Sequence, residues 1–207
     1  DYIGGRFSST SGVGGAVLSL AFGPDVFAQF LDGAAAADKT ATNKNIFEST
    51  LNANNVVMHI GTSVLSASRI EAMGDDFILF QHGFTPASVE VGKKIREERL
   101  QVLNALGVEE HANPLGMYNK VTHPEDHPEI NVFRTLSGPN CVKHRYLTED
   151  CPNGLVPWSE LGKLCGVPTP TMDAVISIYS LVHERDWRGI GIDLERLGLS
   201  GMSVEEI

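Results

Sequence analysis

The sequence predicts a mainly α, multi-helical protein, and three observations carry that expectation. Thr85-Pro86 opens a helical pattern that closes only at Gly107. The threonine is placed to cap, the proline falls in the first turn, and Val89, Ile95, Leu100, Leu103 and Leu106 mark a core side. A second amphipathic pattern, TMDAVISIYSL over residues 171–181, follows Pro170. Finally, no GxGxxG with a downstream acid opens a βαβ unit, and no run of parallel-type strands appears, so no Rossmann domain is expected.

The bulk numbers narrow the function classes. A chain of 207 residues can bury a sizeable core. Its net charge of −10 argues against a nucleic-acid binder and against docking on anionic membranes. The three cysteines, Cys141, Cys151 and Cys165, lack CxxC spacing, so reduced thiols and a cytoplasmic protein are expected. No apolar run approaches the roughly 20 residues that a membrane span needs. The chain begins at Asp1 in mid-pattern and ends at Ile207 in a helix-like SVEEI, which predicts a fragment.

Residues 1–12 are expected to be loop, because Gly4, Gly5 and Gly12 favour turns. A short helix over residues 16–21 should stop at Gly23-Pro24, and DVFAQFLDGAAAA should form another, capped by Asp25. Composition changes at about residues 40–44, where a boundary between units 1–43 and 44–207 is expected. Apolar spacing from Ile46 to Met73 predicts a pair of helices or one interrupted helix, with His59 in its apolar stretch. Gly74-Asp75-Asp76 should turn, and FILFQ should be a short strand or extended piece. The charges of KKIREER are expected on a solvated helix face, and residues 108–140 should form an irregular surface loop. His123 and His127 have helical spacing, but Pro124 and Pro128 oppose a helix there, so no metal site is expected. Trp158 and Leu161 should be buried, and helices should cover residues 186–197 and start again at Ser203.

The stretch with the most chemistry is RYLTEDCPNGLVP, residues 145–157. It sets Arg145 and two carboxylates, Glu149 and Asp150, beside a turn expected from Pro152, Asn153 and Gly154. Gly166-Val167-Pro168-Thr169-Pro170 should make a second rigid turn behind it. The bland alternative is a local Arg145–Asp150 ion pair that braces the turn.

Two resemblances emerge from these residues. DYIGGRFSSTSGVGGAVLSLAFGPDVFAQFLDGAAAADK resembles the signature segment of glucose-6-phosphate isomerases, over about residues 1–42. That resemblance implies a sugar-phosphate role for Arg6, although the family's other catalytic parts have no counterpart here. From about Asn45 onward, four patches resemble the C-terminal helical domain of octopine/nopaline (opine) dehydrogenases, a domain like the C-terminal one of 6-phosphogluconate dehydrogenase. They are NxxxH with SxSRIE, HGFTPASVEVGKKIREERLQVLNALG, RYLTED through GVPTPTMDAVI, and LERLGLSGMSVEEI.

This second resemblance implies reductive condensation of an amino acid with a 2-oxo acid such as pyruvate, using NAD or NADP held by a separate Rossmann domain. It implies His59 and Asp150 as the catalytic pair and Arg145 as the substrate-binding cation. The chemistry suits those roles. Histidine exchanges protons near neutrality, a carboxylate can hold its tautomer, and guanidinium offers a planar fork for a carboxylate. Two other readings stand beside it: a non-catalytic helical module that forms a homodimer or binds a ligand, and a glucose-6-phosphate isomerase fragment. The acids Glu125, Asp126 and Glu129 would suit a basic amino acid.

Overall fold

The computed structural model describes residues 9–41, 63–110, 115–135 and 137–207. The chain divides into two compact units, Asp1–Thr50 and Leu51–Ile207. Among the described residues there is no strand, so the mainly α expectation holds.

The first unit is a helical hairpin of α1 (Gly12–Phe22) and α2 (Pro24–Ala41). Ser11 caps α1 by accepting the Val13 N–H, so the helix starts earlier than Ala16. Gly23, at φ 91°, makes the sharp exit that a side chain would strain. Because α2 starts at Pro24, Asp25 sits in its first turn and not at the cap. A Cβ on Gly15 would lie 2.9 Å from the Phe27 ring, so that glycine lets the two helices approach. Val17, Leu20 and Phe22 are exposed.

The second unit is built on α4 (Pro86–Ala105), preceded by α3 (Ala67–Met73). Thr85 and Ser88 form the capping box of α4, and Gly107 at φ 71° follows its end, as the sequence predicts. After α4 come α5 (Leu115–Thr122), α6 (Asn131–Arg134), α7 (Arg145–Thr148), α8 (Val156–Cys165), α9 (Pro170–His183) and α10 (Trp187–Ile190). α4 packs against α5, α8 and α9, while α10 packs against α9. Ile95, Val102, Leu103, Leu155, Trp158 and Met172 form the centre of the core, each 1% exposed or less.

Buried charge interrupts the solvated face expected for KKIREER. Glu98 and Arg99 are only 2% and 1% exposed, whereas Lys94 and Glu97 pair in solvent. Glu98 accepts the N–H groups of Thr171 (2.8 Å) and Met172 (3.0 Å), which caps α9 from a neighbouring helix. Arg99 bonds Glu110 at 2.9 Å and lies 5.0 Å from the Trp158 ring, while Arg96 bonds the other Glu110 oxygen. A sequence cannot distinguish these two charges from their solvated neighbours, because their partners are 11 to 74 residues away.

Three local expectations change. FILFQ is not a strand: Phe77 and Ile78 are extended, and Leu79–Gly83 then makes a π-helical turn. The Gly138 N–H reaches the Phe77 carbonyl at 3.2 Å, but a single bond of this kind is no ladder. The irregular loop contains α5 and α6, and Tyr118 on α5 is buried. His123 bonds back to the Asn119 carbonyl, and His127 lies 3.4 Å from Glu129. Helix 186–197 shrinks to α10, because Gly191 leaves the helix in extended geometry and the Ile192 N–H reaches the Pro152 carbonyl at 2.9 Å. The last segment, Val204–Glu206, is a 3-10 turn with its own capping box.

Gly191 also yields a test. A Cβ there would lie 2.8 Å from both the Trp187 carbonyl oxygen and Val156 Cγ1. Gly191→Ala should therefore cost about 1–3 kcal/mol in urea unfolding, because a buried backbone must shift.

Candidate functional site

The RYLTED stretch forms a helical ledge, and the reverse turn expected from Pro152-Asn153-Gly154 is not there. His144 caps α7, its Nδ1 accepting the Tyr146 N–H at 3.3 Å. An accepting Nδ1 places the proton of the neutral ring on Nε2. Burial pulls the His144 pKa down, the adjacent Arg145 charge pulls it further, and Glu149 opposes them. Leu147 is fully buried and anchors the short helix.

The chain then continues through a π-helical turn, Cys151–Leu155, directly into α8. The Val156 N–H reaches back to the Cys151 carbonyl. Pro152 fits in the first turn of this element, where no N–H is required of it. Cys151, Pro152, Gly154 and Leu155 are buried and Asn153 is exposed. π-Helical turns inserted between helices recur at functional sites. The rigid exit behind α8 is as expected: Gly166 is left-handed at φ 67°, and the Val167 N–H closes on the Gly162 carbonyl at 2.8 Å.

Arg145 is exposed, and its guanidinium carbon lies 5.3 Å from the Tyr146 ring centre. Among the described residues it makes no ion pair, so the local Arg145–Asp150 brace is not what holds the ledge. Asp150 is half-buried. Its charge is felt by two buried groups. Burial pushes the Cys151 thiol up to about 12, with Arg188 opposing and Asp150 adding. Burial also pushes the Tyr179 phenol well above its ordinary value, with Cys151 and Asp150 adding. Glu149 is exposed. His59 and Arg6 both lie outside the described residues.

The Cys151 shift has a stability consequence. The folded state favours the neutral thiol, so this contribution is complete below about pH 9 and is lost as pH rises towards about 12. Urea unfolding at pH 10.5 should show about 2 kcal/mol less stability from this group than at pH 7.5. Cys151→Ala should flatten that decline.

A cavity of about 400 Å³ adjoins α7, with Lys143, Thr148, His183, Arg185 and Trp187 among its walls. His183 pins it: its Nε2 lies 2.8 Å from the Val142 carbonyl, and its Nδ1 lies 2.8 Å from the Tyr179 carbonyl and 3.2 Å from Trp187 Nε1. Neither Arg145 nor Asp150 lines this cavity. A second cavity, about 370 Å³, lies between α3 and the start of α4 and is lined by Ser66, Arg69 and His82. Sequence reasoning passed over both. SRIE and HGFTP carry Arg69 and His82 inside patches noted only for resemblance, and nothing in their spacing brings the two together.

Comparison with known proteins gives these elements a lineage. The α-helical domain of NAD/NADP octopine/nopaline dehydrogenases matches residues 42–183. An opine dehydrogenase of Arthrobacter sp. (strain 1C) is 33% identical over 175 residues, covering 79% of this chain and 47% of that protein. Protein ocs of Agrobacterium tumefaciens (strain Ach5) is 29% identical over 160 residues, covering 74% of this chain and 44% of that protein. The chain thus spans just under half the length of these relatives. A glucose-6-phosphate isomerase of Treponema denticola is 60% identical over 48 residues, covering 23% of this chain and 9% of that protein. Among the described residues no helix is long and apolar enough to cross a membrane. With its helical domain matched over most of the chain, this protein belongs to the octopine/nopaline dehydrogenase family.

Proposed function

We propose that this chain supplies the substrate-binding and proton-transfer half of an opine dehydrogenase, which joins an amino acid to a pyruvate-like 2-oxo acid. One observation carries the reading: Arg145 is an exposed guanidinium without an ion pair among the described residues, on a capped and anchored ledge that also carries half-buried Asp150. A cation held this way is a carboxylate receptor, since its planar fork meets two oxygens at once.

In this reading Arg145 grips the 2-oxo acid, His59 exchanges the proton at the condensing nitrogen, and Asp150 is the positioning residue for the imidazole. The NAD or NADP of the family does not fit the described residues, which form no strand leading into a glycine-rich turn that could take a pyrophosphate. Substrate binding and proton positioning are what this chain's own residues offer.

Substrate chemistry tests the reading. In calorimetric titrations of the 207-residue chain, pyruvate should bind at least ten times more tightly than methyl pyruvate, which has no carboxylate for Arg145. Equal affinity for the ester would refute the clamp.

A further inference from the structure

We propose that the cavity between α3 and α4 is a carboxylate-binding site for a small organic acid, with Arg69 as its cation and Ser66 and His82 as its neutral donors. Its volume of about 370 Å³ is in the range of pockets that hold small molecules. Ser66, Ser68, Arg69, His82, Thr85 and Ser88 all line it, and no acidic residue among the described ones does.

Three donors remain available there. Ser66 is only 8% exposed, yet its hydroxyl has no hydrogen-bond partner among the described residues and does not cap α3. A hydroxyl that lines the cavity without a protein partner can donate to a ligand there. The Arg69 guanidinium donates through Nη1 to the His82 carbonyl, which fixes the arginine against the π-helical turn and leaves its other N–H groups without protein acceptors among the described residues. His82 Nδ1 accepts the Ile78 N–H at 3.0 Å, so the neutral ring carries its proton on Nε2 as a further donor. Gly83 keeps the site open: a Cβ there would lie 2.8 Å from Leu79 Cδ1 and 3.1 Å from Ser66 Oγ.

The donor set selects a monoanion over phosphate. A phosphate site at the start of α4 would need that helix's first N–H groups. Pro86 has none, and the Ser88 N–H is already held by Thr85 Oγ1. The Thr85 N–H is held by Ser88 Oγ at 2.9 Å, and that hydroxyl also donates to the Gly83 carbonyl at 2.7 Å. One guanidinium with two neutral donors matches the single charge and two oxygens of a carboxylate.

The assignment deepens the proposed function, on which its choice of ligand rests. Opine condensation brings two carboxylates together, and Arg145 accounts for the one on the 2-oxo acid. The cavity at Arg69 is the receptor for the other, the α-carboxylate of the amino acid.

NMR-monitored titration of the 207-residue chain with L-alanine, pyruvate and inorganic phosphate tests this. L-Alanine should shift the amide signals of Ser66, Arg69 and His82, and phosphate should bind at least tenfold more weakly. Arg69→Gln should weaken L-alanine at least tenfold, and Ser66→Ala about threefold. Arg69→Lys keeps the charge without the fork and should weaken it about threefold, which covers a failure of Arg69→Gln to fold. L-Alanine affinity unchanged in Arg69→Lys and Ser66→Ala, or phosphate binding as tightly as L-alanine, would overturn the site. Arg145→Gln separates the two claims: it should abolish pyruvate binding and leave the L-alanine shifts in place. Intact pyruvate binding in that variant would refute the Arg145 clamp and leave the Arg69 cavity standing on its own titration.

Discussion

Glu98→Ala is expected to destabilise the second unit by about 3–5 kcal/mol, while Glu97→Ala next to it should change stability by no more than about 0.5 kcal/mol. The two glutamates differ only in what they meet. Glu97 pairs with Lys94 in solvent, both side chains more than half exposed, and such pairs contribute little. Glu98 is 2% exposed and receives two backbone N–H groups at the start of α9. Thr169, at the cap position of α9, makes no side-chain cap of its own, so Glu98 stands in for it across the bundle. Alanine would remove two charge-assisted bonds and leave the Thr171 and Met172 N–H groups facing an apolar gap. Glu98→Gln should cost about half as much, since one carbonyl oxygen still accepts while the amide N–H₂ confronts a donor. Urea midpoints at pH 7 measure all three variants, and equal losses in Glu97→Ala and Glu98→Ala would contradict the cap.

Where a cofactor-bearing Rossmann partner completes the proposed enzyme, Asp150→Asn should lower kcat about 10²–10⁴-fold in condensation of an amino acid with pyruvate. Asparagine keeps the shape and one oxygen acceptor but removes the charge that would hold an imidazolium at His59. A structural role alone would predict lost stability with an unchanged pH profile. The proposed positioning role predicts a lowered kcat, a displaced acid limb of the kcat profile and a KM for pyruvate that hardly moves, because the same proposal gives that contact to Arg145. The variant also bears on the core. Asp150 adds to the upward shifts of Cys151 and Tyr179, so its neutralisation should slightly reduce the loss of stability at alkaline pH. A kcat within threefold of the parent would remove Asp150 from the mechanism.

The helices of this protein were legible where a local signal suffices. Thr85 with Pro86 and Gly107, and Gly166 through Pro170, are stop and start marks whose physics lies within a few residues. The mainly α class followed from them, and burial of Trp158 and Leu161 followed from apolar spacing. What escaped was set by distant partners. Nothing near KKIREER marks Glu98 as the cap of a helix more than 70 residues away. FILFQ has strand composition but meets no partner strand among the described residues, and the π-helical turn satisfies its backbone instead. Pro152-Asn153-Gly154 has turn composition, yet burial of Cys151 and Leu155 against α8, α9 and α10 keeps that segment helical.

The candidate residues were legible as a motif and not as an arrangement. Arg145 and Asp150 stand on the segment where the motif put them, but in a helical ledge that no local signal announces. Arg69 and His82 lie 13 positions apart, and a bond from guanidinium to carbonyl oxygen brings them together.

The most direct measurement for the central claim is calorimetric titration of pyruvate into the chain and its Arg145→Gln and Arg145→Lys variants. If Arg145 is the carboxylate receptor, glutamine abolishes measurable binding, and lysine retains the charge with an affinity about tenfold lower, because it cannot present two parallel donors. Parent-like pyruvate affinity in Arg145→Gln would contradict that claim.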